Sequence, residues 1–225
     1  MDYEKNIRYF TPVTYGGPTF LIIVGAVLIL AAFGTQTIWF GLIGTLLIAL
    51  GILWRISKKK KIVTDMDYDR SVFEGIGDLK ARALSRLGVD EDEVSEIPPI
   101  TLDSYSFDGA NLGRIGVDGK WRTNQYKCIM LLFSANEVHC YTYQFSTTTN
   151  AKTEATDVYF YRDIVSASTA SENITFLGRT INNESFKLTT AGGTSISVNL
   201  RNDETAQQSI NAMRAVLKEK KQTMH

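Results

Sequence analysis

Few residues in this chain are of the types that carry chemistry. There are two histidines, His139 and His225, and two cysteines, Cys128 and Cys140. Any Ser–His–Asp or Cys–His arrangement would have to use His139, and no strained nucleophile turn lies near it. Cys128 and His139 fall on stretches that read as neighbouring strands and could approach each other, but no third group is implied. The chain has no GxxxxGK[ST], CxxC or HExxH spacing. Gly75 and Gly77 sit inside a helical pattern rather than in a phosphate-binding loop. The acidic run Asp90–Glu96 lacks the alternating ligands and central glycine of a calcium loop, and reads as a solvated helix start. No catalytic, cofactor-binding or metal-ligating residue is assigned, and the expectation is a non-enzymatic protein. The cysteines show neither metal spacing nor a disulfide framework and read as free, half-buried thiols in a reducing compartment.

Charge tells more. The chain has 24 Lys+Arg and 24 Asp+Glu. Residues 1–61 hold seven of the bases (Lys5, Arg8, Arg55, Lys58, Lys59, Lys60 and Lys61) against Asp2 and Glu4, so the remainder is slightly acidic. That balance argues against a nucleic-acid partner. The basic cluster directly follows an apolar segment, where a membrane surface favours it.

Two runs without charge, Thr19–Phe33 and Ile38–Trp54, span 15 and 17 residues, a little short of the ~20 needed to cross a bilayer core. Pro18 suits the first turn of the first helix, and the second can continue to Ser57 with Arg55 snorkelling. Trp39 and Trp54 bracket the second run as interfacial aromatics do. Gly41, Gly44 and Gly51 lie near one face of it, and Gly25 and Ala32 are seven apart on the first. Small residues allow close helix approach, either between these two helices or between copies of the chain. The connector Gly34–Thr37 has no Lys or Arg, whereas Arg55–Lys61 has five, so the positive-inside rule places both termini in the cytosol. The leader Met1–Gly17 has no net positive charge, which argues against a cleaved signal.

The expected organisation is a cytosolic tail (1–17), a transmembrane hairpin (18–57), a basic and amphipathic connector (58–99) and a cytosolic domain (100–225). In the connector, Val72, Ile76, Leu79, Ala83 and Leu87 form one helical stripe that predicts a helix over 64–87. Gly88 stops it, and an Asp90/Glu93 capping box starts a short second helix before Pro98-Pro99. From Ile100 the pattern predicts seven strands, near 100–107, 121–134, 138–148, 158–168, 174–180, 185–190 and 195–201. Turns fall between them, one of them at Asn182-Asn183. Asn202 or Asp203 then caps a helix with an apolar stripe at Ala206, Ile210, Met213 and Leu217.

About seven antiparallel strands followed by one amphipathic helix, with Tyr161-Arg162-Asp163-Ile164 at a strand start, resembles bacterial membrane proteins that carry two N-terminal transmembrane helices followed by a pleckstrin-homology-like (PH-like) domain. The resemblance covers roughly residues 100–221. It implies an α+β fold, with the hairpin followed by a bent antiparallel β-sandwich or barrel closed by the C-terminal helix. It also implies a headgroup-binding role for Arg114, Lys120 and Arg122, although Asp108 and Asp118 dilute that charge. The functional expectation is a scaffold in the cell membrane, held by lipids around its hairpin, whose cytosolic domain binds a protein partner. The alternative is a homo-oligomeric membrane assembly, pore or curvature-forming, with the β domain as a lid. Asn173-Ile174-Thr175 and Asn183-Glu184-Ser185 match glycosylation acceptors, which a cytosolic placement makes inert.

Overall fold

A computed structural model describes residues 1–59, 62–94, 97–200 and 204–223. Lys60, Lys61, Glu96, the expected helix caps Asn202 and Asp203, and His225 lie outside the described residues. So does the side chain of Ala206. Contacts divide the chain into two units, residues 4–68 and residues 1–3 with 69–225.

In the first unit, helix α1 (Tyr3–Phe10) occupies part of what reads in sequence as a tail. Helices α2 (Gly16–Thr35) and α3 (Ile38–Lys59) follow, at 20 and 22 residues. At 1.5 Å per residue each is about 30 Å long, enough to cross a membrane by length and composition. The runs are longer than their apolar cores because Gly16, Gly17 and Pro18 extend α2 backwards and Arg55–Lys59 extend α3 forwards. Their large side chains point away from the pair: Phe33 is 81% exposed and Ile38 72%. Tyr9 of α1 stacks on Tyr68 with centroids 4.3 Å apart, and its hydroxyl donates to Asp65 at 2.8 Å.

The second unit begins within helix α4 (Asp65–Ile76). The single helix expected over 64–87 is two, α4 and α5 (Leu79–Leu87). The break falls where Gly77 adopts φ +59 and the Asp78 carboxylate accepts the Ala81 N–H as an N-cap. Gly88, at φ +67, ends α5 as anticipated, and its N–H returns to the Leu84 carbonyl. The short helix at Glu91–Val94 is a single 3-10 turn.

Nine strands follow among the described residues: β1 (Ile100–Tyr105), β2 (Gly113–Ile115), β3 (Trp121–Thr123), β4 (Gln125–Phe133), β5 (Glu137–Ser146), β6 (Lys152–Phe160), β7 (Ile164–Phe176), β8 (Arg179–Thr190) and β9 (Ser195–Asn199). They form three antiparallel sheets among the described residues, ordered β1-β4-β5-β6, β2-β3 and β7-β8-β9, and no closed barrel. The seven expected strands differ from these in both number and boundaries. The span 121–134 divides at Asn124, and β2 is additional. The span 158–168 is interrupted by a 3-10 turn at Tyr161–Asp163. The chain reverses at Leu177 and Gly178 (φ 48 and 73), in the middle of an expected strand. Asn182 and Asn183 then run straight through β8, because their neighbours pair with β7 across the ladder.

The core joins the first and third sheets. Leu102, Ile129, Leu131, Phe133 and Cys140 meet Phe186, Leu188, Ile196 and Val198. β9 alternates as its sequence requires, with Ile196 and Val198 buried and Ser195 and Ser197 exposed. Helix α6 (Glu204–Thr223) closes this core with Ile210, Met213 and Leu217, at 0, 1 and 6% exposure. Leu217→Ala removes a buried side chain from the last turn that reaches the core, and should cost about 2 kcal/mol, the low end for such truncations. Gln208→Ala, on the exposed face, should stay within about 0.5 kcal/mol. Thermal melts of the two variants check this; equal melting temperatures would remove the helix from the core.

Candidate functional site

An open cleft of about 490 Å³ lies in the second unit. Asp69, Val72 and Phe73 of α4 form one wall, the end of β1 and the β2–β3 hairpin another, and Ile181–Glu184 of β8 with Asn199 the third. It is built from the residue pairings outward. The Asp118-Gly119 turn (Gly119 φ +74) closes the β2–β3 hairpin, with Asp118 accepting from the Lys120 N–H at 3.1 Å. The register then brings Arg122 opposite Arg114. Asn124, nearly fully buried, fastens the preceding loop: its amide oxygen accepts from the Asn111 and Leu112 N–H groups at 3.1 and 3.0 Å.

Arg122 floors the cleft with its side chain 6% exposed. Its Nε and one Nη donate to the two Asp69 oxygens at 2.7 and 2.8 Å, and its Nη groups donate to the two Asp118 oxygens at 2.9 and 3.0 Å. The Tyr105 hydroxyl also donates to Asp69. Arg122 is thus held bidentately by each of two carboxylates, the geometry a guanidinium fork favours. The hydrogen bond from Arg122 pulls the Asp118 carboxyl down to about 2. Beside this network Phe107, Trp121 and Phe176 form an edge-to-face trio with centroids 5.3–6.4 Å apart. Gly113 makes room for it, since a Cβ there would come within 2.3 Å of the Phe176 ring.

This placement reshapes the basic set read from the sequence. Lys120 and Arg114 are exposed, whereas Arg122 is buried with four of its N–H bonds directed at carboxylates. A phosphate would have to displace two acids to reach it. Asp69 and Tyr105 are participants that the sequence reading did not single out. One signal was present: Asp69 precedes Val72 by three residues, so a carboxylate sits on the helix face that carries the apolar stripe.

The remaining candidates separate. Ladder pairing puts Cys128 opposite Tyr143 and His139 opposite Leu132, four positions along β5 and about 13 Å apart, so the approach considered from sequence does not form. Both thiols are fully buried rather than half-buried, and burial pushes Cys140 up to about 12, which leaves it unreactive near neutrality. Among the described residues no three acidic, His or Cys side chains converge as a metal site.

The small residues meet inside the first unit. A Cβ on Gly25 would lie 2.6 Å from the Gly44 carbonyl oxygen, and one on Gly44 equally close to that of Gly25. A Cβ on Gly51 would lie 2.9 Å from the Pro18 carbonyl oxygen, and one on Gly41 3.7 Å from the Ala32 methyl. At the open end of the hairpin, Trp54 covers Gly17, Arg55 lies over the Tyr15 ring at 5.4 Å, and Lys58 donates to the Thr14 carbonyl at 2.7 Å. Lys59 ends α3, and Trp39 stands 68% exposed at its start. Thr45, the one polar side chain in the middle of the hairpin, donates back to the Gly41 carbonyl.

Compared with known protein families, curated proteins and solved structures, the chain matches none.

Proposed function

We propose that this chain is a non-enzymatic scaffold of the cell membrane, held by the α2–α3 hairpin, whose cytosolic PH-like domain receives an extended segment of a protein partner in its cleft. The cleft carries the reading. It joins an aromatic wall at Phe107 and Trp121 to the polar side chains of Lys120, Asn182 and Glu184. An extended peptide offers alternating donors and acceptors, which an amide side chain can match in both senses, and apolar side chains for the aromatic wall. Its 490 Å³ falls within the range of sites that hold ligands.

The anchor follows from physics of the same kind. Two adjacent helices with side chains such as Leu30 and Phe33 more than two-thirds exposed are unfavourable in water and suited to lipid. An antiparallel hairpin delivers both of its open ends to one face, and the cations gathered there favour the cytosol. The PH-like assignment is supported by α6, which closes the core between two antiparallel sheets. The scaffold is favoured over a pore because Gly25, Gly44 and Gly51 are spent within one hairpin and are not free to join copies.

An ATP-dependent proximity-labelling enzyme fused after residue 225 tests both parts in the cells that make the protein. The expected result is labelling of cytosolic proteins, with one discrete neighbour lost when Asn182→Trp fills the cleft. A complete lack of cytosolic labelling would overturn the orientation. A neighbour set unchanged by Asn182→Trp would overturn the cleft.

A further inference from the structure

We propose that the outer edge of β7, from Thr169 to Thr175, pairs antiparallel with the same edge of a second copy about a two-fold axis at Ser171. This does not rest on the membrane or cleft readings. Among the described residues β7 is hydrogen-bonded to β8 on one side and to no strand on the other, and it runs for 13 residues. Unpaired edges of that length invite strand addition, and proteins blunt them with charge, proline or bulges. β6, one edge of the first sheet, is blunted: it carries exposed Lys152 and Asp157, and its Glu154 is paired with Arg86. The stretch 169–175 of β7 has no proline and no register shift, and Glu172 is its one charge.

The backbone phase can be read directly. Arg214 Nε donates to the Ala167 carbonyl at 3.0 Å, so that carbonyl points away from β8. At the other end the two-residue turn closes on Phe176 and Arg179, a pair whose backbone groups face inward. Outward groups therefore belong to the odd positions 169, 171, 173 and 175. Pairing about Ser171 sets Thr169 against Asn173 of the copy and Glu172 against Ala170, so no like charges meet. Pairing about Glu172 would oppose two carboxylates. The same axis brings together the two exposed apolar residues at the ends of this edge, Val165 (64%) and Leu177 (57%), which stand six residues to either side of it. The small Ser, Ala and Thr side chains between them allow the edges to close, giving one six-stranded sheet from two three-stranded ones.

The test uses the full chain in detergent micelles. Across an antiparallel hydrogen-bonded pair the Cα atoms are about 5.5 Å apart, within disulfide reach. Mild oxidation of Ser171→Cys should give a covalent dimer that Thr156→Cys, on the β6 edge, does not give. Cys128 and Cys140 are fully buried and add no background. Ser171→Lys places like charges on the axis at an exposed site; it removes the side-chain hydrogen bond from Ser171 to Asn182 but leaves the β7–β8 backbone ladder in place. Sedimentation should then show the mass falling from two chains to one, with an unchanged circular dichroism spectrum. A monomeric native chain, cross-linking of Ser171→Cys no stronger than of Thr156→Cys, or a dimer that survives Ser171→Lys would each overturn the proposal.

Discussion

Arg122→Met should destabilise the second unit by about 3 kcal/mol. Removing one member of a buried ion cluster typically costs ~3–5 kcal/mol, because the partners are left charged and unpaired. Here the low end applies: Asp69 and Asp118 are 30% and 39% exposed, and water takes up part of the loss. For a unit of this size that corresponds to a melting temperature lower by roughly 6–12 °C. Asp69→Asn, which preserves shape, should move stability in the same direction by less. Acid provides a second readout. The folded Asp118 carboxyl lies near 2, below its ordinary 3.8. Its contribution is therefore fully present above about pH 4 and is lost as pH falls towards 2. Arg122→Met should abolish that increment of acid sensitivity. A melting temperature within a degree of the native value would show that the network holds nothing together.

Opening the hairpin should be the other large effect. Ala32→Cys combined with Gly41→Cys should form an intramolecular disulfide readily, because the two Cβ positions stand 3.7 Å apart, close to the ~3.8 Å mean of disulfides. Gly25→Val introduced into that background should slow bridge formation roughly tenfold or more. The clash at Gly25 is with backbone, the Gly44 carbonyl oxygen at 2.6 Å, and no rotamer change can relieve it. Overpacking of about 1–3 kcal/mol converts to that scale of change. Measuring the rate of loss of free thiol in micelles decides the matter. Bridges that link separate chains would instead return the glycines to an interface between copies.

The parts of this molecule that could be read from sequence are those set by near neighbours. The two apolar runs, the αL glycine at 88, the alternation of β9 and the stripe of α6 each express a local period, and each appears where that period placed it. The turns were less legible. Asn182-Asn183 has turn chemistry as good as Leu177-Gly178, yet the chain reverses at the second pair. The pairing that settles it lies in β7, and a five-residue difference in where a hairpin closes leaves hardly a trace in composition.

β8 also changes its buried face along its length: Ile181 and Asn183 are covered in one half, Phe186 and Leu188 in the other. No single alternation describes such a strand, because its first half lines the cleft and its second half joins the main core. By itself, then, the sequence determined that two long apolar helices precede an antiparallel β domain ended by an amphipathic helix. Only the tertiary structure decided that Arg122, exposed in a reading of the hairpin alone, is a buried cation held by Asp69 and Asp118. Asp69 lies 53 residues away along the chain, and burial of a charge depends on partners that no local pattern specifies.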